Sequence, residues 1–345
     1  HTGKPQRRRV RVPTPANNQL LDERLEELYR RHLLIGDDSV ANYYESGRGY
    51  YKPELAAEER DRFSICLVRT NGEVHQAGDH DRPFALQSIS KVFVYGLALA
   101  DHGGGYVLKH VGVEPSGDAF NSIVFDERNN RPYNPMVNAG ALVTTDLVRG
   151  KDSAEKFERI LGTLRSYAGN RSLEVDEHTF EAEMRTADWN RATGYLMRSQ
   201  GMISGDVEGI LALYLRQCSV QVTCRDLAVM AATLANGGVN PLTGEQALPL
   251  RHVREVLSVM HTCGMYDAAG QWAFDIGVPA KSGVSGGILA VVPGKGGIGV
   301  YSPGLDAHGN SVRGIGVCQE ISERLGLHVF ATEAEDALLV PMESR

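Results

Sequence analysis

Long apolar runs are missing from this 345-residue chain. None approaches the roughly 18–20 residues that a membrane-spanning helix needs, so no membrane partner is expected. The N-terminus lacks the basic-then-apolar pattern of a secretory signal. Cysteine is scarce: Cys66, Cys218, Cys224, Cys263 and Cys318 are odd in number, scattered and mostly set among apolar residues. That usage predicts reduced core thiols in a cytoplasmic protein. Basic excess is absent too, with 36 Lys and Arg against 43 Asp and Glu, which argues against nucleic acid as a partner. The one basic run, Arg7-Arg8-Arg9 with Arg11, lies among Pro5, Pro13 and Pro15 and reads as a flexible tail or cloning remnant over 1–17. Apart from that tail there is no low-complexity tract, and there is no internal repeat.

Two apparent ligand motifs also fall away. Gly294-Lys295-Gly296-Gly297-Ile298-Gly299 spells a dinucleotide fingerprint, but Ser302-Pro303 stands where the required helix would begin. Gly296 follows Lys295 where a phosphate loop needs Ser or Thr. His75 and His80 sit in a turn region without a metal-ligand pattern around them. No cofactor and no metal are expected.

What is present is periodicity of two kinds. Leu21, Leu25 and Leu28 share one face of a helix expected over 18–34. Phe63–Thr70, the turn signal Asn71-Gly72 and Glu73–Gln76 predict a hairpin. A second hairpin is expected where Gly287–Val292 and Ile298–Tyr301 flank Pro293–Gly297, followed by an amphipathic helix from Ser311 to Leu325. Between the hairpins the pattern is helical: 88–100, 153–168, 176–198, 207–218, 223–235 and 248–260. Strands bracket a helical middle. The expected fold is therefore α+β, with an antiparallel sheet built from both chain ends, flanking helices and an inserted all-α subdomain. The boundaries follow: 18–87 with 259–330 for the sheet subdomain, 88–258 for the helical one, and 331–345 as a C-terminal tail.

Ser88 and Lys91 open an apolar helix, and residues three apart share a helix face, so hydroxyl and amine can meet. A serine hydroxyl needs a base to become a nucleophile, and a lysine on a buried apolar face is desolvated, which lowers its pKa toward that role. A helix-capping serine beside a snorkelling lysine would give the same letters. What separates the readings is Lys281-Ser282-Gly283 just before the C-terminal hairpin. Proteins of the β-lactamase and penicillin-binding type pair these elements, with the nucleophile on a helix and Lys-Thr/Ser-Gly on an edge strand.

Longer motifs sharpen this. Val111–Gly117, Phe120-Asn121-Ser122, Asn134–Ala141, Asp188–Ala192, Leu213–Ser219, Cys263–Asp267 and Pro279–Gly287, in that order, resemble the bacterial glutaminase A family. The resemblance spans about 20–330. It implies a β-lactamase/transpeptidase-like fold and hydrolysis of L-glutamine to L-glutamate and ammonia. It also implies Ser88 as nucleophile, Lys91 as its base and Tyr266 at the reacting centre. Asn138, Glu183, Asn190 and Tyr214 match residues that hold the substrate's α-amino and α-carboxylate groups. Val284 matches an oxyanion-hole backbone N–H, and Tyr43 a further pocket tyrosine. Relatives associate through exposed faces, which implies a homodimer or homotetramer.

The chemistry is coherent. Glutamine's backbone end is a zwitterion, so Glu183 supplies the anion while Asn138, Asn190 and Tyr214 supply neutral polar groups. On a continuous helix, Glu183 and Asn190 lie two turns apart and face one cleft. Trp189 departs from the small or charged residue usual at that position among relatives, and Leu196 from the tyrosine of some; both reshape only the pocket rim. Two alternatives are defined. A penicillin-interacting serine hydrolase would carry Ser-x-Asn or Tyr-x-Asn in the helical insert, where this chain has Tyr214-Leu215-Arg216. A non-catalytic amino-acid-binding module would have lost Ser88, Lys91 or Tyr266.

Overall fold

The computed structural model describes residues 15–35, 61–119 and 121–331. Tyr43, the stretch 42–51 and most of both expected tails lie outside the described residues. The first hairpin forms as expected, with β1 (Ser64–Arg69) and β2 (Val74–Gly78) joined through Asn71-Gly72. Gly72 has φ +90°, the left-handed backbone such a turn requires. The C-terminal strands are β3 (Ala280–Ser282), β4 (Gly287–Val292) and β5 (Gly296–Tyr301). They complete one antiparallel five-stranded sheet in the order β2-β1-β5-β4-β3. The chain ends thus meet at the β1–β5 pair, and β3, carrying Lys281, is an edge strand.

Alternation along the strands gives the sheet two buried faces. One carries Ile65, Leu67, Ile288, Ala290, Ile298 and Val300, packed with Leu25 and Leu28 of helix α1 (Pro15–Leu33) and with Val317, Cys318 and Ile321 of the last helix (Val312–Leu325). The other carries Cys66, Val68, Leu289 and Val291 and joins the core of the helical half. Against it lies the helix Cys224–Ala235, begun by a capping box of Thr223 and Asp226. The glycine run of β5 exists for this contact. A methyl on Gly297 would stand 2.2 Å from Ala232 N, and one on Gly299 2.5 Å from Cys224 O.

The helical half departs from the sequence expectation in several places, among them a short unforeseen helix over Gly104–His110. The helix expected from Ser88 begins at Ser90 and runs to His102, preceded by a 3-10 turn at Gln87–Ile89. A helix over Asn138–Leu147 was not foreseen, because its first residues read as a turn. The expected single helix over 176–198 is two, Glu177–Arg185 and Asp188–Ser199. Arg191 holds the break, donating to Met184 O at 2.9 Å and pairing with Asp188 and Glu208.

Candidate active site

The turn bearing Ser88 is fixed from both sides. Upstream, Phe84–Ala85 pairs antiparallel with Gln221–Val222, and Leu86 N–H donates to Val220 O at 2.9 Å. Those partners directly follow the helix Val207–Cys218, which carries Tyr214, so the pairing brings Tyr214 toward Ser88. Downstream, ten consecutive buried residues from Ser90 to Leu99 lock the helix into the core. Between them Gln87 takes φ +51°, a left-handed conformation costing a non-glycine residue about 1–3 kcal/mol.

Lys91 is fully buried in this arrangement. Its Nζ lies 3.1 Å from Ser88 Oγ and donates to Asn138 Oδ1 at 2.7 Å. Burial lowers the lysine to about 8, since the cavity wall cannot solvate an ammonium as water does. The Tyr214 hydroxyl also donates to Asn138 Oδ1, at 3.2 Å, while Asn138 Nδ2 donates to Asn190 Oδ1 at 3.0 Å. Asn138 therefore joins the lysine to Asn190 and Tyr214, a link that sequence reasoning did not supply. It stands at the first turn of its helix because Asn134 Oδ1 accepts from Met136 N and Val137 N, folding the preceding turn. Gly140 permits this fold; a methyl there would sit 1.9 Å from Asn134 O.

Glu183 is 8% exposed, and burial raises its carboxyl above the usual range. Gln87 Nε2 donates to its Oε1 at 2.6 Å and works in the opposite direction, favouring the anion. Gln87 was missed at the sequence level, because its side chain reaches Glu183 only through the left-handed backbone. Glu183 and Asn190 come from two helices rather than from two turns of one, and they reach the Ser88 turn separately, Glu183 through Gln87 and Asn190 through Asn138 and Lys91.

The other wall comes from the sheet half. Gly264 ends the helix Leu250–Cys263 where strand β3 crosses; a methyl on it would lie 1.7 Å from Ala280 O. Two residues on, Tyr266 adopts φ +55°. Its hydroxyl donates to Ser282 O at 3.2 Å and is hydrogen-bonded to Ser88. Burial outweighs those bonds and pushes the phenol up to about 12. Lys281 Nζ lies 4.1 Å from the Tyr266 ring centroid and donates to Ser282 O at 2.8 Å. Burial, and then the nearby Lys91, hold Lys281 well below the ordinary lysine range. Val284 follows in the turn closed by Gly286 N–H to Gly283 O at 2.9 Å. That turn abuts the serine turn, since a methyl on Gly283 would be 3.1 Å from Leu86 O and 3.3 Å from Gln87 Cβ.

A cavity of about 370 Å³ adjoins Tyr266, walled also by Pro115, Ser116, Val137 and Cys263, which brings together three of the longer sequence motifs. The rejected motifs have other employment: His75 Nδ1 pairs with Asp22 at 2.7 Å, and Gly294–Gly299 forms the β4–β5 turn and β5 itself.

The arrangement combines a buried serine, a lysine biased toward its neutral form, a neutral phenol, a hydrogen-bonded set of Asn138, Asn190 and Tyr214, and a buried carboxylate held by Gln87. Such a constellation suits acyl transfer from an amide to serine and then to water. Known proteins resemble this chain over most of its length. The profile of the Glutaminase family matches residues 48–330. A glutaminase of Trichormus variabilis is 54% identical over 89% of this chain and 89% of its own. One from a Nostoc species is 53% identical over the same shares. Among solved structures, Mglu in its glutamate form superposes with a TM-score of 0.84 at 42% identity, covering 94% of this chain and 72% of that one. The probable glutaminase ybaS superposes with a TM-score of 0.84 at 37% identity, covering 92% and 99%.

Proposed function

The chain belongs to the glutaminase family and hydrolyses L-glutamine to L-glutamate and ammonia; we propose that it does so through an acyl-enzyme on Ser88, with Lys91 as the base. The observation that carries this reading is the buried Lys91 amine 3.1 Å from Ser88 Oγ, lowered to about 8. Neutral Lys91 takes the hydroxyl proton as Ser88 Oγ attacks the side-chain carboxamide. The backbone N–H groups of Ser88 and Val284 hold the oxyanion. Collapse breaks the C–N bond, and the nitrogen takes the proton now on Lys91, relayed through Tyr266, leaving as ammonia.

A phenol pushed up to about 12 stays protonated at neutral pH, so Tyr266 serves as donor and relay rather than as base. That favours Lys91 as the group that activates water against the γ-glutamyl ester. Glu183 receives the α-ammonium, and Asn138, Asn190 and Tyr214 the α-carboxylate. Tyr43 belongs to the same proposal as a pocket tyrosine. With both charged groups clamped, the shorter asparagine cannot bring its amide carbon to Ser88.

The test is ammonia release from glutamine and from asparagine by wild type and Ser88→Ala. The reading requires glutamine to be strongly preferred and Ser88→Ala to lose activity at least about a thousandfold. A Ser88→Ala enzyme that keeps several percent of its turnover refutes it. We further infer a cytoplasmic location, supported by five buried cysteines that are all free, and assembly as a homodimer or homotetramer. Among the described residues no helix is long and apolar enough to cross a membrane.

A further inference from the structure

Tyr266 holds a backbone conformation that its own side chain disfavours, so something must hold it there. Besides the contacts of its own hydroxyl and ring, two contacts to its sequence neighbours come from a loop outside the site described above, Ser302–Ser311, between β5 and the last helix. Both sequence neighbours of Tyr266 are gripped by this loop. Asn310, fully buried, reaches Met265 O with its Nδ2 at 3.5 Å. His308 Nδ1 lies 3.0 Å from Asp267 Oδ2.

The loop is itself closed. Asp306 Oδ1 accepts from His308 N and Asn310 N, both at 2.9 Å, and Asp306 N–H donates to Asn310 O at 2.8 Å. Its root is tied to the oxyanion turn: Ser302 N–H donates to Gly286 O at 3.1 Å, and a methyl on Gly286 would stand 2.2 Å from Ser302 O. One internally hydrogen-bonded segment therefore runs from the turn bearing Val284 to the turn bearing Tyr266.

We propose that the Ser302–Ser311 loop is a bracket that sets the position of Tyr266 relative to Ser88 and the oxyanion turn, with Asn310 and His308 as its positioning residues. This rests on the reading that Tyr266 relays protons at the reacting centre. Among the described residues, no hydrogen bond or ion pair joins the bracket to Asn138, Glu183, Asn190 or Tyr214. Loosening it should therefore slow chemistry and leave substrate affinity nearly unchanged, because a proton relay tolerates little misplacement.

The experiment is a double-mutant cycle with steady-state ammonia release. Asn310→Ala and His308→Ala are each measured in wild-type and Tyr266→Phe backgrounds, with thermal melts on all forms. His308 is half exposed, so its variant reports on the bracket even if loss of the buried Asn310 side chain compromises folding. Asn310→Ala is expected to lower kcat at least about tenfold and His308→Ala about threefold, with KM within about twofold of wild type. In the Tyr266→Phe background neither should lower kcat further, because the relay they position is already gone. Equal fold losses in both backgrounds, or a lowered melting temperature with unchanged kcat, would overturn the bracket. Should Tyr266→Phe itself keep full kcat, the relay role fails instead, and the two failures are distinguishable.

Discussion

Replacing Lys91 with Met should abolish turnover and yet stabilise the fold at neutral pH. The lysine is fully buried, and its fall from 10.5 to about 8 corresponds to roughly 3 kcal/mol against the charged form. The sign follows from linkage. A folded-state pKa below the unfolded value means that stability is lost as pH falls from the unfolded toward the folded pKa. The cost is thus complete below about pH 8 and vanishes above about 10.5. Methionine fills similar volume without titrating, but it forfeits the contacts to Asn138 Oδ1 and Ser88 Oγ, about 1 kcal/mol each. Asn138 Oδ1 keeps Tyr214 as a donor, and the Ser88 hydroxyl keeps its hydrogen bond to Tyr266, which limits that loss. Lys281, relieved of the Lys91 charge, adds to the gain with the same sign. The balance favours Lys91→Met by about 1–2 kcal/mol at pH 7, or a few degrees in Tm for a chain of this size. Calorimetric melts of both proteins from pH 6.5 to 10 would show the gap shrinking through pH 8 and reversing near the top of the range. Turnover should meanwhile fall about a thousandfold. A variant destabilised by the same amount across that whole range would show that Lys91 is not the desolvated amine this reasoning requires.

Other outcomes follow from the same geometry. In wild type kcat/KM should rise with pH through a limb near 8, because the base must be neutral; about one-tenth of molecules are competent at pH 7. A profile flat between pH 6 and 9 would contradict Lys91 as base. Glu183→Gln removes the anion for the substrate ammonium, so KM for glutamine should rise about a hundredfold with a smaller change in kcat, read from initial rates. Gly264→Ala would drive a methyl against Ala280 O and Met260 O, separating β3 from the Tyr266 turn. It should cost about 3 kcal/mol or more, measured as a shift in the urea midpoint.

How far the sequence could be read depended on the range of each signal. The sheet from both ends was legible because alternation and turn residues act locally, and the edge strand was legible through Lys281-Ser282-Gly283. The Ser88–Lys91 encounter followed from spacing alone, although the serine sits in a 3-10 turn rather than in the helix proper. Asn138, Glu183, Asn190 and Tyr214, proposed to hold the substrate's charged end, were singled out through family resemblance, not through chemistry visible in their own neighbourhoods. The break between Glu177–Arg185 and Asp188–Ser199 escaped because Thr186 and Ala187 carry no breaker signal, while Arg191 secures it through distant partners. Gln87 escaped because a positive φ at glutamine is imposed by tertiary structure. The helix from Asn138 hid behind Asn134-Pro135, which reads as a loop and in fact caps the turn leading into the helix.

The central claim is a covalent γ-glutamyl ester on one serine. Wild type and Tyr266→Phe should be quenched in acid during turnover of glutamine, digested, and the peptides mapped by mass. A γ-glutamyl adduct is expected on the peptide containing Ser88, localised to that residue by fragmentation and absent from Ser88→Ala. Turnover of glutamine with no adduct on Ser88 at any quench time, or an adduct on another residue, would contradict it.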